Sequence, residues 1–126
     1  MPPVDASLAR HGGLSYLEIP AADAARSAAF YRQVAGWDVD DRGGGDWRFA
    51  DRTGHLIGRW VTGRAVPQRV GVVPYLYVDD LDTAVAGVAE HGGEVVKPPH
   101  AEGDIRIAVV RDPAGNTLGL WQAAER

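Results

Sequence analysis

The sequence contains no cysteine, and Lys97 is the single lysine among its 13 basic residues. The absence of cysteine excludes disulfide bonds, thiolate metal sites and cysteine nucleophiles. No apolar stretch approaches the roughly 20 residues that a membrane-spanning helix requires. Residues 1–13 lack the basic end and the apolar stretch of a signal peptide. We therefore expect no membrane association, and a cytoplasmic location is favoured.

Features of nucleic-acid-binding and nucleotide-binding proteins are also missing. The formal net charge is −4, and no cluster of arginines argues for a nucleic-acid partner. The glycine run at 43–45 is predicted to join two strands, so it lacks the helix N-terminus that would hold a phosphate. Nucleophile-elbow and hydrolase-triad patterns are absent as well. The 126 residues, 45% of them hydrophobic, fit one soluble globular domain.

What the chain does contain is an internal repeat. Residues 51–60 read D-x-x-G-x-x-I-G-x-W, and residues 112–121 read D-x-x-G-x-x-L-G-x-W. Each copy ends a segment that begins in a similar way, with Tyr-Leu-Glu-Ile at 16–19 and Tyr-Leu-Tyr-Val at 75–78. Two copies of one module have a seam between them, and a concave seam is a common place for a ligand.

Each half-module is predicted to have the order β-α-β-β-β. In the first, at about 12–63, a strand at 12–19 precedes a helix that Asp23 caps and that runs to about Val34. In the second, at about 70–123, a strand at 72–78 precedes a helix capped by Asp79 or Asp80. Residues 64–69 are the expected linker, and 98–103 are expected to form a loop. Since neither half has a full core alone, we expect the two sheets to pair edge to edge within a single domain at 1–126.

Three short motifs and the repeat together indicate a family. The motifs are Phe30-Tyr31 at the end of the first helix, Gly92-Gly93 after the second, and Asp-Pro-Ala-Gly-Asn at 112–116. Over about residues 12–123 the chain resembles the vicinal oxygen chelate superfamily, which includes glyoxalase I, extradiol dioxygenases, fosfomycin-modifying enzymes and bleomycin resistance proteins. The resemblance implies an α+β fold of two tandem βαβββ modules that form a cup-shaped, eight-stranded mixed sheet. A second identical chain frequently completes the cup, so a homodimer is expected.

The metal enzymes of this superfamily take ligands from the first and last strand of each module. Strand alternation places those four positions at Leu14, Gly58, Val73 and Gly119. Alkyl side chains and glycine offer no donor atom to a divalent ion. We therefore predict neither a metal nor a cofactor, and we do not expect metallo-glyoxalase, dioxygenase or metal-dependent epoxide-opening activity. A slip of one residue would turn every side chain to the opposite face of the sheet.

The same alternation selects the side chains that should face the cup. They are Tyr16, Glu18, Trp60, Tyr75, Tyr77 and Trp121. Gly58 and Gly119 leave room beside the two indoles for a planar ligand, although these tryptophans would equally serve as core. The tyrosine hydroxyls could orient a ligand or simply cap a half-buried sheet. Trp47 and Phe49 could form another wall or pack into the core.

Two residues are candidates for acid–base chemistry. Glu18, if buried and unpaired, would have a raised pKa and could act as a base. A salt bridge to an arginine is the alternative for Glu18. His100 is the second candidate, on a loop with Glu102 and Asp104. Arg48, Arg59 and Arg106 could bind an anion or remain solvated charges at the edges of strands.

The sequence predicts a metal-free protein that binds a hydrophobic or aromatic small molecule in its cup. Resistance to a natural product by sequestration, or carriage of one, is the favoured role. The alternative is a metal-independent enzyme of the same superfamily that uses Glu18 or His100 as proton carrier. A third possibility is an interaction module with a filled cup.

Overall fold

The computed structural model describes residues 6–66 and 69–124. The first module comprises β1 (Tyr16–Pro20), α1 (Ala24–Ala35), β2 (Asp38–Asp41), β3 (Trp47–Ala50) and β4 (Ile57–Val61). The second comprises β5 (Tyr75–Tyr77), α2 (Leu81–Glu90), β6 (Glu94–Glu102), β7 (Ile105–Arg111) and β8 (Thr117–Ala123). The predicted α+β fold of two tandem βαβββ modules is confirmed.

The eight strands form two four-stranded mixed sheets, one from each module. The first sheet has the order β1-β4-β3-β2 and the second β5-β8-β7-β6. In each sheet the first strand runs parallel to the last, and the other pairs are antiparallel. No ladder joins the two sheets within the described residues, so β1 and β5 are both edge strands. The expected edge-to-edge pairing into one eight-stranded sheet is therefore wrong for this chain, and the modules are joined by their shared core instead.

Both helices begin at aspartate caps, as predicted. The Asp23 carboxylate accepts from the backbone N–H of Arg26, and the Asp80 carboxylate accepts from that of Thr83. Asp80 is therefore the cap of α2, and Asp79 is not. Gly36 ends α1 at φ 74°, the left-handed conformation that glycine adopts without a steric penalty.

One core lies between the helices and the inner faces of both sheets. The two helices pack against each other, and α1 also contacts β2, β3 and β4. Its largest fully buried apolar side chains come from both modules: Phe30, Leu81, Val88, Val110, Leu118 and Leu120. Burial of this shared apolar surface is the main force that holds the modules together.

Two hydrogen bonds also join the modules. The Tyr31 hydroxyl of α1 donates to the Asp112 carboxylate at 2.8 Å, and both groups are buried. The Asn116 side-chain amide donates to the carbonyl of Pro20 at 2.7 Å. The turn at 112–116 therefore contacts the first module on two sides.

Three element boundaries differ from the prediction. Residues 98–102 belong to β6 and are not a loop, because bulges at Lys97 accommodate the Pro98-Pro99 pair within the strand. The strand β5 covers only Tyr75–Tyr77, and Val72 ahead of it is 96% exposed. Likewise, β1 is predicted at 12–19 but begins at Tyr16 and extends through Pro20.

The two repeat copies differ in the length of their turns. Ala50 pairs with Ile57 across the first turn, whereas Arg111 pairs with Thr117 across the second. Six residues therefore connect β3 to β4, and five connect β7 to β8. Side chains alternate between the two faces of a sheet, so this one-residue difference reverses the orientation of β4 relative to β8. Gly58 and Trp60 therefore lie on the opposite face from their counterparts Gly119 and Trp121.

Candidate functional site

Each sheet has one face on the core and one face turned away from the helices, which we call its open face. On the first sheet Leu17, Ile19 and Phe49 contact the core, so the residues between them along the strands lie on the open face. On the second sheet Leu118 and Leu120 are buried in the core. Gly119 and Trp121 therefore lie on its open face.

The open face of the second sheet is largely apolar and aromatic. Tyr75 and Tyr77 of β5 are 51% and 54% exposed. The rings of Tyr77 and Trp121 meet edge to face, with centroids 5.0 Å apart. The Tyr75 ring lies over the Cα of Gly119, in the space that a side chain at this position would occupy. The structure thus places the three predicted aromatic residues of the second module together on one accessible surface.

Trp60 lies elsewhere, which corrects its predicted orientation. Its side chain is 4% exposed and contacts the rings of Tyr31 and Phe49. Gly58 also points to the core, where the Phe49 ring fills the position of the missing side chain. The longer first turn is the reason, since it shifts β4 by one residue relative to β8. The indole nitrogen of Trp60 is buried and has no hydrogen-bond partner among the described residues.

Trp47 lies on the helix side of β3, partly buried against the core. It pairs with Asp41 across the sheet and shares its face with Phe49. Of the alternatives for these two residues, core packing is the one observed.

The open face of the first sheet is charged. Glu18 of β1 lies beside Arg59 of β4, Arg59 beside Arg48 of β3, and Arg48 beside Asp40 of β2. The Glu18 carboxylate accepts from Arg59 Nε at 3.1 Å and from Arg64 Nη2 at 2.9 Å. Sequence reasoning assigned Arg64 to the linker and missed this contact, because nothing in the spacing brings residue 64 back to β1. Tyr16, on the same face, is about half exposed.

The two arginines determine the protonation of Glu18. Hydrogen bonds from Arg64 and Arg59 hold the pKa of this carboxyl below its ordinary value, outweighing the opposite effect of desolvation. Of the two alternatives for Glu18, an unpaired base or a salt bridge to an arginine, the structure shows the salt bridge. A carboxylate stabilised in this way is a poor proton acceptor.

His100 lies on β6, with both ring nitrogens near oxygen atoms. Nδ1 is 2.8 Å from the Pro98 carbonyl, and Nε2 is 3.2 Å from the Glu102 carboxylate. Its strand partner is Ile107, whose own partner on β8 is Trp121, so His100 lies on the open face of the second sheet. Arg106 lies on the opposite face and makes a two-pronged contact with Asp82 of α2.

A cavity of about 770 Å³ lies at the seam between the modules. Its walls come from β1, from the segment leading into β5, and from the β7–β8 turn. Leu14, Glu18 and Val73 line it together with Leu76, Asn116 and Thr117. Its volume lies within the range of small-molecule sites. Side chains of the shared core, among them Leu17, Ile19, Tyr31 and Leu118, line it as well, whereas the predicted ligand-binding residues Tyr16, Tyr75, Tyr77 and Trp121 are not part of the lining.

The superfamily's metal ligand positions do not fit a metal in this chain. With the observed register, Ile57 corresponds to Gly119, because these residues pair with Tyr16 and Tyr75 respectively. Leu14, Ile57, Val73 and Gly119 carry no donor atom. Over residues 6–66 and 69–124, no group of three or more His, Asp or Glu side chains could hold a metal ion. Within the same described residues, no helix is long and apolar enough to cross a membrane.

The fold is that of solved glyoxalase/bleomycin resistance proteins. A family model described as a glyoxalase-like domain matches residues 16–121, so the chain belongs to the glyoxalase-like domain family.

Three known proteins illustrate the similarity. The chain is 31% identical over 123 residues to "Putative glyoxylase CFP32" of Mycobacterium tuberculosis, a match that covers 90% of this chain and 47% of that protein. The chain thus spans about half the length of the curated relatives it matches first. A glyoxalase/bleomycin resistance protein/dioxygenase family enzyme from Burkholderia phytofirmans superposes with a TM-score of 0.74 at 20% identity, over 88% of this chain and 98% of that one. TnmS3, an antibiotic binding protein from Streptomyces sp. CB03234, superposes with a TM-score of 0.67 at 25% identity, over 88% and 95%.

Proposed function

We propose that this chain binds a hydrophobic, aromatic small molecule at the seam between its modules. The observation that carries the proposal is the accessible aromatic surface of Tyr75, Tyr77 and Trp121, on a sheet whose strand β5 also contributes Leu76 to the wall of a cavity of about 770 Å³. Tyrosine and tryptophan rings bury large apolar areas and favour offset or edge-to-face contact with another ring. An aromatic ligand would remove this surface from water.

The physiological role that we propose is sequestration or carriage of a natural product, which would confer resistance to it. TnmS3, described as an antibiotic binding protein, supports this role by its similarity to the chain over nearly its whole length. Binding of this kind needs shape and apolar burial, and it needs no proton carrier. The alternative of acid–base catalysis loses its first candidate, because Glu18 is held as a carboxylate by two arginines. A cytoplasmic location stays a prediction.

We also propose a homodimer. The edge strands β1 and β5 lack a partner on one side within the described residues. An exposed strand edge with apolar side chains beside it favours pairing with another chain. Light scattering coupled to gel filtration would give the mass directly, and a monomer at micromolar concentration would contradict the proposal.

The binding proposal can be tested with N-phenyl-1-naphthylamine, a neutral aromatic probe that becomes fluorescent in apolar sites. We expect saturable binding to the wild-type protein. Trp121→Phe should weaken it several-fold, because it replaces the indole that pairs with Tyr77 by a smaller ring with less contact area. Trp47→Phe is the matched control, since Trp47 packs on the helix side of the first sheet. Absence of binding, or equal effects of the two substitutions, would contradict the proposal.

A further inference from the structure

The cavity at the seam is a different place from the aromatic surface of the second sheet. None of Tyr75, Tyr77 and Trp121 belongs to its lining. Its walls are the edge strand β1, the segment 69–74 that leads into β5, and the β7–β8 turn. The lining itself therefore indicates what this cavity of about 770 Å³ holds.

The apolar part of the lining is mainly aliphatic. Two aromatic rings belong to it, those of Tyr31 and Trp37, which are nearly buried and stacked on each other with centroids 4.7 Å apart. These rings offer little free surface on which an aromatic ligand would stack. The walls therefore suit a flexible hydrocarbon chain. The aliphatic side chains come from both modules and the linker, among them Leu17, Ile19, Val66, Val73, Leu76 and Leu118.

The rim of the cavity is apolar as well. Leu14, Val70 and Val72 line it, and each of these side chains is more than half exposed. Large apolar side chains that are exposed together mark a binding surface. A hydrocarbon chain would remove them from water, and each methylene group that it buries adds to the affinity.

A guanidinium and a hydroxyl lie side by side in the same lining. Arg111 and Thr117 are direct partners across the β7–β8 ladder, and both line the cavity. Neither side chain has a hydrogen-bond partner among the described residues. Arg111 does form an ion pair with Glu94, but the two atoms are 3.6 Å apart and both side chains are exposed. Such a pair contributes little and leaves the guanidinium donors to a ligand.

The charge of the lining favours an anion. Arg69 adds a second guanidinium, which has neither an ion pair nor a hydrogen bond with the described part of the chain. Glu18 is the one carboxylate of the described lining. Its two oxygens already accept from Arg59 and Arg64, which lie outside the lining. Guanidinium donors match the oxygens of a carboxylate or phosphate.

We infer that the seam cavity is a second binding site, which takes an aliphatic chain that ends in an anionic group. The chain lies against the leucine and valine side chains of both modules, and the anionic group binds Arg111 and Thr117. The ligand class is a fatty carboxylate. This site goes beyond the proposed aromatic one, since neither Tyr77 nor Trp121 takes part in it.

Chain length tests the apolar half of the inference. cis-Parinaric acid is a carboxylate without rings that becomes fluorescent in apolar surroundings, so it reports occupation of the cavity. We expect it to bind saturably to the wild-type protein and to be displaced by octanoate, decanoate and dodecanoate. Each added methylene should strengthen binding about threefold to fourfold, as expected for buried hydrocarbon. Absence of binding, or affinities that do not change with chain length, would overturn the inference.

Decanol tests the anionic half, because it shares the chain of decanoate and has no charge. Arg111→Gln should weaken displacement by decanoate about fivefold or more, since a charge-assisted hydrogen bond is lost. Displacement by decanol should change less than about twofold. Arg69→Gln should act in the same direction, so the test does not depend on the folding of one variant. Arg52→Gln is the matched control, because Arg52 is an exposed arginine outside the lining.

Equal effects of Arg111→Gln on decanoate and decanol, or an effect of Arg52→Gln as large as that of Arg111→Gln, would overturn the inference. Trp121→Phe separates it from the proposed function and should change the affinity for decanoate less than about twofold. If Trp121→Phe weakens decanoate as much as N-phenyl-1-naphthylamine, one site serves both ligands and the inference alone fails. If decanoate binds as expected and the neutral aromatic probe does not bind, the proposed function alone fails.

A second copy of the chain is the competing occupant of the cavity. Light scattering coupled to gel filtration, with and without decanoate, distinguishes it from a fatty carboxylate. We expect the same mass in both conditions. A dimer that decanoate converts to a monomer would show that the partner chain fills the cavity, and the inference would fall.

Discussion

Tyr31 and Asp112 show how one polar contact can join two modules through an apolar core. Asp112 is 3% exposed, yet its carboxylate is satisfied by the Tyr31 hydroxyl and by donors of the turn that it begins. These donors are the backbone N–H groups of Ala114 and Asn116 and the Asn116 side chain. A buried carboxylate with this many donors costs little as long as each one remains in place.

Tyr31→Phe should lower the free energy of unfolding by about 1.5–3 kcal/mol, the range for hydrogen bonds to charged groups. Urea unfolding followed by circular dichroism measures the change. Tyr77→Phe is the control, because it removes a hydroxyl that is exposed and has no described partner; we expect a change below about 0.5 kcal/mol. Equal stability of the two variants would show that the Tyr31–Asp112 bond does not hold the modules together.

The same tyrosine should make stability depend on alkaline pH. Burial, together with the charge of Asp112, raises the pKa of Tyr31 well above its ordinary value. Above about pH 10 the unfolded chain loses this proton while the folded chain keeps it. The unfolded state then binds fewer protons, so the free energy of unfolding falls as the pH rises. Tyr31→Phe should fall less steeply over this range; parallel slopes for the two proteins would refute this assignment.

At the scale of the secondary-structure elements, most of the fold could be predicted from the sequence. Asp23 and Asp80 begin helices because their carboxylates accept from the first backbone N–H groups, and that preference is local. The βαβββ order follows from the repeat together with the alternation of its strands. Which side chains of β4 lie on the core face could not be predicted, because this depends on the number of residues in the turn at 51–56. The two copies of the repeat have the same spacing between their shared residues, so the sequence does not reveal that the turns differ in length.

Substitutions at Gly58 of β4 and at its counterpart Gly119 of β8 test whether the two strands have opposite orientations. An added methyl at Gly58 would collide with the Leu17 carbonyl and the Phe49 ring, neither of which can move freely. Gly58→Ala should therefore cost about 3 kcal/mol or more, at the upper end for overpacked cores. At Gly119 the methyl meets the ring of half-exposed Tyr75, which can swing into solvent.

Gly119→Ala, the matched control, should therefore cost less than about 1 kcal/mol. Thermal and urea unfolding of both variants measure the difference. Similar losses in the two variants would be inconsistent with opposite orientations of β4 and β8.

The candidate site could be predicted only in part. Tyr75, Tyr77 and Trp121 could be placed on one surface because β5 and β8 keep strict alternation and pair with each other without a register shift. The ion pairs of Glu18 could not be assigned, since Arg64 returns to β1 from the linker. The contrast between the charged open face of the first sheet and the aromatic open face of the second depends on pairing across all four strands of each sheet. A single sequence does not specify that pairing.

For the whole molecule, the shared core predicts that neither module folds alone. Phe30 of α1 packs so closely against Gly93 that a methyl there would meet its ring. Separation exposes this surface and the inner side of α2 to water. We expect fragments 1–66 and 69–126 to show little fixed structure by circular dichroism and amide dispersion, and the intact chain to unfold in one transition. A folded fragment would mean that each sheet and its helix suffice as a core.

The extra residue between Ala50 and Ile57 has a consequence beyond packing. A duplicated module begins as two identical halves, and identical halves would give a bowl with the same lining on both sides. A hairpin turn that takes up one more residue of the same repeat exchanges which half of the following strand's side chains meets solvent, while the spacing of the repeat in the gene stays the same. In this protein such a change is enough to direct an arginine outward in one copy and a tryptophan outward in the other.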